Sequence, residues 1–441
     1  MVPAAIHGFN RHRQAYEIHT PCIEISSVVY PDVVMDDRDE LANLELTAQQ
    51  MRGMGQVALD RLVRHVAALQ ELPACGDLTG IEEQCRQLRE PPPEEPADFE
   101  PLLDQLLEQW VPRSFTASGP GYLAYIPGGG LFPASIADLI QGVTNRYTGV
   151  WQAAPLLVQL EANVLDWFRQ WMDFPPSARG LLTTGGSMAN FNAVVCARQR
   201  HLGPEIRPGV VYTSTQTHHS VLKAARLAGV AEDRIRVIPV DESFRMQVSS
   251  LARAVEADRR AGLVPFLVVS TAGTTNTGAV DPLNDIANFC AAEGSIWHHV
   301  DGAYGGFFRL CPALHPLLAA LSRADSLTLD PHKGLFLPYG TGALLVRDGA
   351  ALHAVHALTA AYMPPMPSGD EFYDPSQYSP DLSRGFPGLR VWLCLKVFGM
   401  RKVRAAIEEK HRLAREAAGR LGQLPGVALV APPSSRCSPS T

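Results

Sequence analysis

The sequence predicts an α/β fold with a mostly parallel central sheet flanked by helices. Two features of residues 180–347 carry that prediction. Short β-branched apolar runs alternate there with helical segments, and the runs are continuous, as strands buried on both faces require. The residues most useful to chemistry (a lysine, aspartates, histidines and a Gly-Gly-Ser) fall just after those runs. In open parallel sheets that is where ligands collect.

A chain of 441 residues is long enough for a large core and smaller units beside it. We expect an N-terminal helical, dimerising segment over 1–100, a large α/β domain over 101–350, and a lid with a small C-terminal unit over 351–441. No apolar run approaches the roughly 20 residues of a membrane span. The N-terminus, with Arg11, Arg13 and Glu17, has no apolar stretch of the secretory kind. A net charge of −7 supplies no basic stripe for a nucleic acid. Eight dispersed cysteines without Cys-x-x-Cys spacing indicate neither a zinc ribbon nor a disulfide scaffold, so the expected compartment is the cytoplasm.

Taken in order, residues 1–46 show no sustained periodicity. From Leu46 a helix is expected, because Met51, Met54, Ala58, Leu62, Val66 and Leu69 recur at three- and four-residue steps and form one stripe for another subunit or domain. Residues 89–101, rich in proline and glutamate, read as a linker. A helix over Leu102 to Trp110 precedes the glycine-rich stretch 118–133, which is either a loop lining a cleft or a surface turn packing Tyr122 and Tyr125. Helices over Pro133 to Thr144 and Pro155 to Phe174 lead to six expected strands, at 210–214, 235–240, 266–271, 296–301, 326–330 and 342–346. Residues 358–386, with Tyr362, Tyr373 and Tyr378, form a long irregular stretch of the kind that is either a lid or a disordered excursion. A helix over Gly388 to Leu421 follows, then a strand beginning at Val427 that gives way to Ser/Pro-rich sequence.

Lys333 is one of only five lysines, with Lys223, Lys396, Lys402 and Lys410 on helical segments. Held among Leu, Phe and Pro at a sheet rim, its amine loses hydration and is available to a carbonyl; a lysine snorkelling from a strand end is the alternative. Gly185, Gly186 and Ser187 open a helix whose free N–H groups suit a phosphate. No Gly-Lys-Ser/Thr follows, so this is not a triphosphate loop. Asp301 ends a strand as a metal ligand, a cap, or the partner of a protonated heterocycle nitrogen. His218 and His219 start a helix, where one imidazole can stack on a flat ring; the two point about 100° apart and chelate metal poorly. His298 and His299 alternate faces on a strand and read as structural. An amine, an anion cradle, a carboxylate and an imidazole at strand ends are the set that pyridoxal 5′-phosphate needs.

The motifs TTGGSMAN, THHSVLKAARLAG, STAGTTNTG, HVDGAYGG, DSLTLDPHKG and LSRGFPGLRVWL together resemble the group II pyridoxal-phosphate-dependent amino-acid decarboxylases, in order from about Leu46 to Ala417. The resemblance implies fold type I, a homodimer, and α-decarboxylation of an L-amino acid to carbon dioxide and an amine, with an aromatic one favoured. It implies Lys333 as the Schiff-base lysine, Asp301 as partner of the ring nitrogen, His218 as the stacking imidazole, and Gly186 and Ser187 on the phosphate. Ala303 packs on the ring, with Thr275 and His332 close by, and Tyr373 is the nearest counterpart of the lid tyrosine that protonates the product in animal members. Three positions depart from the pattern: Asp330 stands where many relatives carry Asn, Gly334 replaces a bulky residue, and Gly121 replaces a pocket aromatic. The resemblance also implies a small C-terminal domain that here is incomplete, as a truncation or shifted reading frame would leave it. Alternatives are an aldehyde synthase or other lyase on the same scaffold, or a non-catalytic binding relative.

Overall fold

A computed structural model describes residues 44–358 and 371–430. Tyr362 and the Ser/Pro-rich end fall outside these residues. The helix expected from Leu46 is α1 (Ala48–Ala68), opened by a capping box in which Thr47 and Gln50 satisfy each other's orphan groups. Its apolar stripe is bare: Met51 is 55% exposed and Val66 46%. The next expected helix is α-helical only over Phe99–Asp104 and widens to a π-helical turn over Gln105–Trp110.

Two long helices then pack beneath the sheet, α2 (Phe132–Thr144) and α3 (Pro155–Trp171), each with proline in its first turn, where a missing N–H costs nothing. Seven strands follow: β1 (Arg179–Thr183), β2 (Gly209–Ser214), β3 (Ile235–Ile238), β4 (Val264–Thr271), β5 (Trp297–Asp301), β6 (Ser326–Leu329) and β7 (Gly342–Val346). Between them run α4 (Gly186–His201), α5 (His219–Leu227), α6 (Val248–Arg260) and α7 (Leu283–Glu293). After β7 come α8 (Gly349–His356) and the 35-residue α9 (Pro387–Leu421).

The sheet order is β1-β7-β6-β5-β4-β2-β3, and only β7 runs against its neighbours. The six strands expected from the sequence are all present. β1 was not anticipated, because RGLLT is short and begins with a charge and a glycine.

Alternation along the strands feeds two cores. Leu344 and Val346 of β7 pack with Ala193 and Val194 of α4 and with α5, whereas Ala343 and Leu345 pack on the other face with Phe168 of α3 and Val391 of α9. Each Leu, Val or Phe among them, fully buried, contributes roughly 1.5–3 kcal/mol. Two expectations are corrected. The last helix is not continuous, since Gly399 sits at φ 72° and breaks it. Residues 427–430 form no strand and lie exposed.

Candidate active site

Because β7 alone is reversed, the carboxyl ends of the other six strands share one edge, and five of them lead directly into the site. There a cavity of about 260 Å³ is lined by Gly186, Ser187, His218, Thr275, Asp301, Ala303, His332 and Lys333, among others. Eight of the nine residues expected at the site therefore meet in one place. They come from the ends of β1, β2, β4, β5 and β6, across a span of 147 positions.

The cradle follows β1. Gly185, at φ 152° where a side chain is strained, turns the chain into α4. Gly186 then lies so close to its neighbours that a Cβ there would stand 3.0 Å from Asp330 Oδ2 and 3.1 Å from Ala303 Cβ. The first N–H groups of α4 have no intrahelical partner, and the dipole makes this end positive.

Asp301 closes β5 in register between Thr271 and Thr328. Ala303 N–H donates to Asp301 Oδ1 at 3.1 Å, and Asn190 Nδ2 donates to Oδ2 at 3.0 Å. His218 is the N-cap of α5, and its Nδ1 accepts from Ser220 N–H. Burial holds the His218 imidazolium below the usual histidine range, with Asp301 pulling the other way.

Lys333 departs from its expected setting. Its Nζ lies 2.9 Å from Asp330 Oδ2, so the amine has a carboxylate for a neighbour and not an apolar wall. Asp330 is 1% exposed, and burial raises its carboxyl above the usual range against the pull of Lys333. Its Oδ1 is buried without a hydrogen-bond partner. His332 donates from Nδ1 to Thr341 O at 2.7 Å, which leaves Nε2 facing Asp330 Oδ2 at 3.6 Å. Gly334 has a local reason: a Cβ there would stand 2.7 Å from Phe307 Cβ.

Tyr373 is the exception among the expected residues. Its ring stacks on Tyr378 with centroids 5.5 Å apart and packs against the core beneath the sheet, and its hydroxyl is buried without a partner. It does not line the cavity. The stretch 118–133 does approach the site: Gly129 N–H donates to the carbonyls of His332 and Leu337, yet Tyr125 stays 75% exposed. Asn190, Ser220 and Tyr304 were not expected at the site, although each lies in a motif quoted above; Asp330 was noted only as a departure from the family pattern.

The family model described as the pyridoxal-dependent decarboxylase conserved domain matches residues 82–434. The chain belongs to the pyridoxal-dependent decarboxylase family. This decarboxylase is 36% identical over 391 residues to an aromatic-L-amino-acid decarboxylase of Bacillus atrophaeus, a match covering 88% of this chain and 81% of the relative. Its fold matches a crystal structure of Oryza sativa TDC with PLP and tryptamine at TM-score 0.79 and 29% identity, covering 86% of this chain and 80% of that one. A Rhodiola rosea 4-hydroxyphenylacetaldehyde synthase matches at TM-score 0.75 and 25% identity over 86% and 80% of the two chains. Fold type I and pyridoxal phosphate as cofactor, both expected from the sequence, are shown by these likenesses.

The site's chemistry fits that cofactor. A positive helix start with close-packed glycine suits its phosphate, a carboxylate with both oxygens fixed suits its ring nitrogen, and one amine suits its aldehyde. Among the described residues no cluster of His, Cys, Asp or Glu is arranged to hold a metal.

Proposed function

We propose that this decarboxylase acts on aromatic L-amino acids, with Lys333 as the residue that bonds the cofactor's aldehyde. The observation that carries the site assignment is the convergence of Lys333, Asp301, His218 and the Gly186–Ser187 helix start on one cavity. Gly186 and Ser187 would hold the phosphate, Asp301 the ring nitrogen, His218 and Ala303 the two ring faces, and Thr275 and His332 the periphery. When bound, the cofactor supplies an electron sink for cleavage of the bond between the α-carbon and the carboxylate.

The residues of this chain then have separate tasks. The α4 start binds and orients through charge and N–H groups. Buried walls exclude water, which strengthens each polar contact inside. His218, kept neutral by burial, is the group at hand to give or take a proton at Nε2. Tyr373, packed away from the cavity, is not assigned that task. Aromatic preference is supported by the relatives whose names state it and by Met188 and Tyr304 in the cavity wall.

We also assign residues 1–100 to pairing two copies as a homodimer, 101–350 to the cofactor domain, and 351–441 to a lid and small domain. The bare stripe of α1 supports the pairing. No helix among the described residues is long and apolar enough to cross a membrane. The six cysteines among the described residues are unpaired, which suits the reducing cytoplasm, where we place the enzyme.

The substrate assignment is tested by incubating the protein, loaded with pyridoxal phosphate, with aromatic, acidic and basic amino acids and measuring amine and carbon dioxide. Release confined to acidic or basic substrates would overturn the aromatic assignment. The likeness to the acetaldehyde synthase favours a second reading, recognisable by ammonia and peroxide appearing alongside carbon dioxide.

A further inference from the structure

Beneath the cavity lies a chain of buried polar side chains whose direction is set by groups with no choice. Trp297 Nε1 can only donate, and it donates to Ser326 Oγ at 2.8 Å. Ser326 contacts His299 Nδ1 at 2.8 Å, and His299 Nε2 contacts Asn190 Oδ1 at 3.0 Å. Burial holds His299 down at about 4, so it carries one ring proton at neutral pH. Because Asn190 Oδ1 can only accept, the histidine proton sits on Nε2 and points at Asn190, and the bare Nδ1 accepts from the Ser326 hydroxyl.

Asn190 is the joint. It is 1% exposed, and each of its hydrogen-bonding positions is used. Its Oδ1 accepts from His299 and from Thr328 Oγ1 at 2.7 Å. Its Nδ2 donates to Asp301 Oδ2 at 3.0 Å and to Ser220 Oγ at 3.1 Å. A flipped amide would set oxygen against the Asp301 carboxylate and nitrogen against two donors, so the orientation is determined. Ser220, accepting from Asn190, turns its own hydroxyl proton to His218 Nδ1 at 2.8 Å. Ser220 N–H points at the same nitrogen, leaving the His218 proton on Nε2.

We propose that Asn190 is a positioning residue that fixes Asp301 Oδ2 for the cofactor's ring nitrogen and, through Ser220, holds the His218 imidazole in place. One amide thereby holds the groups on two sides of the cofactor in a common frame, with Thr328 and the His299 chain holding the amide from behind. A satisfied buried network rigidifies its members, whereas a half-satisfied one is costly. The proposal rests on the assignment of Asp301 and His218 to the cofactor.

The test compares Asn190→Ala and Asn190→Asp by titrating cofactor-free protein with pyridoxal phosphate and following its visible absorption band between pH 6 and 8. Asn190→Ala should weaken affinity at least about tenfold across the range. Asn190→Asp, nearly the same size, should bind as poorly at pH 8, where two carboxylates oppose each other. It should recover to within about threefold of wild type at pH 6, as the added carboxyl takes a proton and donates to Asp301. A packing role predicts the reverse: the isosteric variant close to wild type with no pH dependence of its own. That result overturns the proposal, as does an Asn190→Ala protein that binds like wild type. If wild type itself shows no band, the cofactor assignment has failed, a result distinct from any variant pattern.

Discussion

The site's least expected neighbour is Asp330, a carboxylate placed both beside Lys333, the amine proposed to bond the aldehyde, and beside Gly186, proposed to hold the phosphate. As counter-ion it would compete with the aldehyde for Lys333, and as an anion it would repel the phosphate. Asp330→Asn should therefore tighten binding of pyridoxal phosphate by about threefold or more, read from titration of the visible band. Weaker binding by the variant would mean that the carboxylate helps to hold the cofactor. Lys333 and Asp330 stand three positions apart in DPHK, and both side chains were visible in the sequence. Their contact was not, because it depends on the single helical turn Pro331–Gly334 that folds one over the other.

At the scale of elements, β5 buries two adjacent histidines. His298 and His299 are 1% and 0% exposed, and burial lowers them to about 3 and about 4 from an ordinary 6.5. A depressed folded-state value means that the unfolded chain binds the proton more readily. The stability so gained is present above pH 6.5 and lost as pH falls through 6.5 toward 4. Between pH 7 and 5 each histidine should withdraw roughly 2 kcal/mol. Urea denaturation at the two pH values should show that loss, and His299→Gln should show less of it; a flat profile in wild type would contradict the buried neutral pair. β5 also shows where sequence reading stops. Its strand character and its terminal aspartate follow from IWHHVD, and the histidines read as structural. Their partners did not follow, because Asn190 and His299 are 109 residues apart and meet only after α4 is laid across the sheet.

Across the whole molecule, the buried Glu161–Arg384 pair ties α3 to the segment that launches α9. Glu161 Oε1 meets Arg384 Nη2 at 2.6 Å with side-chain exposures of 1% and 7%, and Oε2 accepts from Gly388 N–H at 3.3 Å. Glu161→Ala leaves a buried guanidinium uncompensated and should cost roughly 3–5 kcal/mol of stability, measurable as a shift in the denaturation midpoint. A loss below about 1 kcal/mol would show that water reaches Arg384. The parallel sheet, the crossover helices and the edge that bears the site were legible because each rests on local pattern: β-branched runs, glycine at a helix start, polar residues at strand ends. The reversed β7 and the unannounced β1 were not, since strand order and direction are settled by how the faces close around α3, α4 and α9. Tyr373 was misplaced for a related reason: a tyrosine in an irregular stretch has no periodicity to say which way it faces, and here it turns into the core.

With only five lysines in the chain, the central assignment can be tested at one atom. Protein loaded with pyridoxal phosphate, reduced with borohydride, digested and mapped by mass spectrometry should carry the pyridoxyl group on the peptide containing Lys333, and a Lys333→Ala protein should carry none. A label on Lys223, Lys396, Lys402 or Lys410 in place of Lys333, or a variant that keeps the visible band, would contradict the site described here.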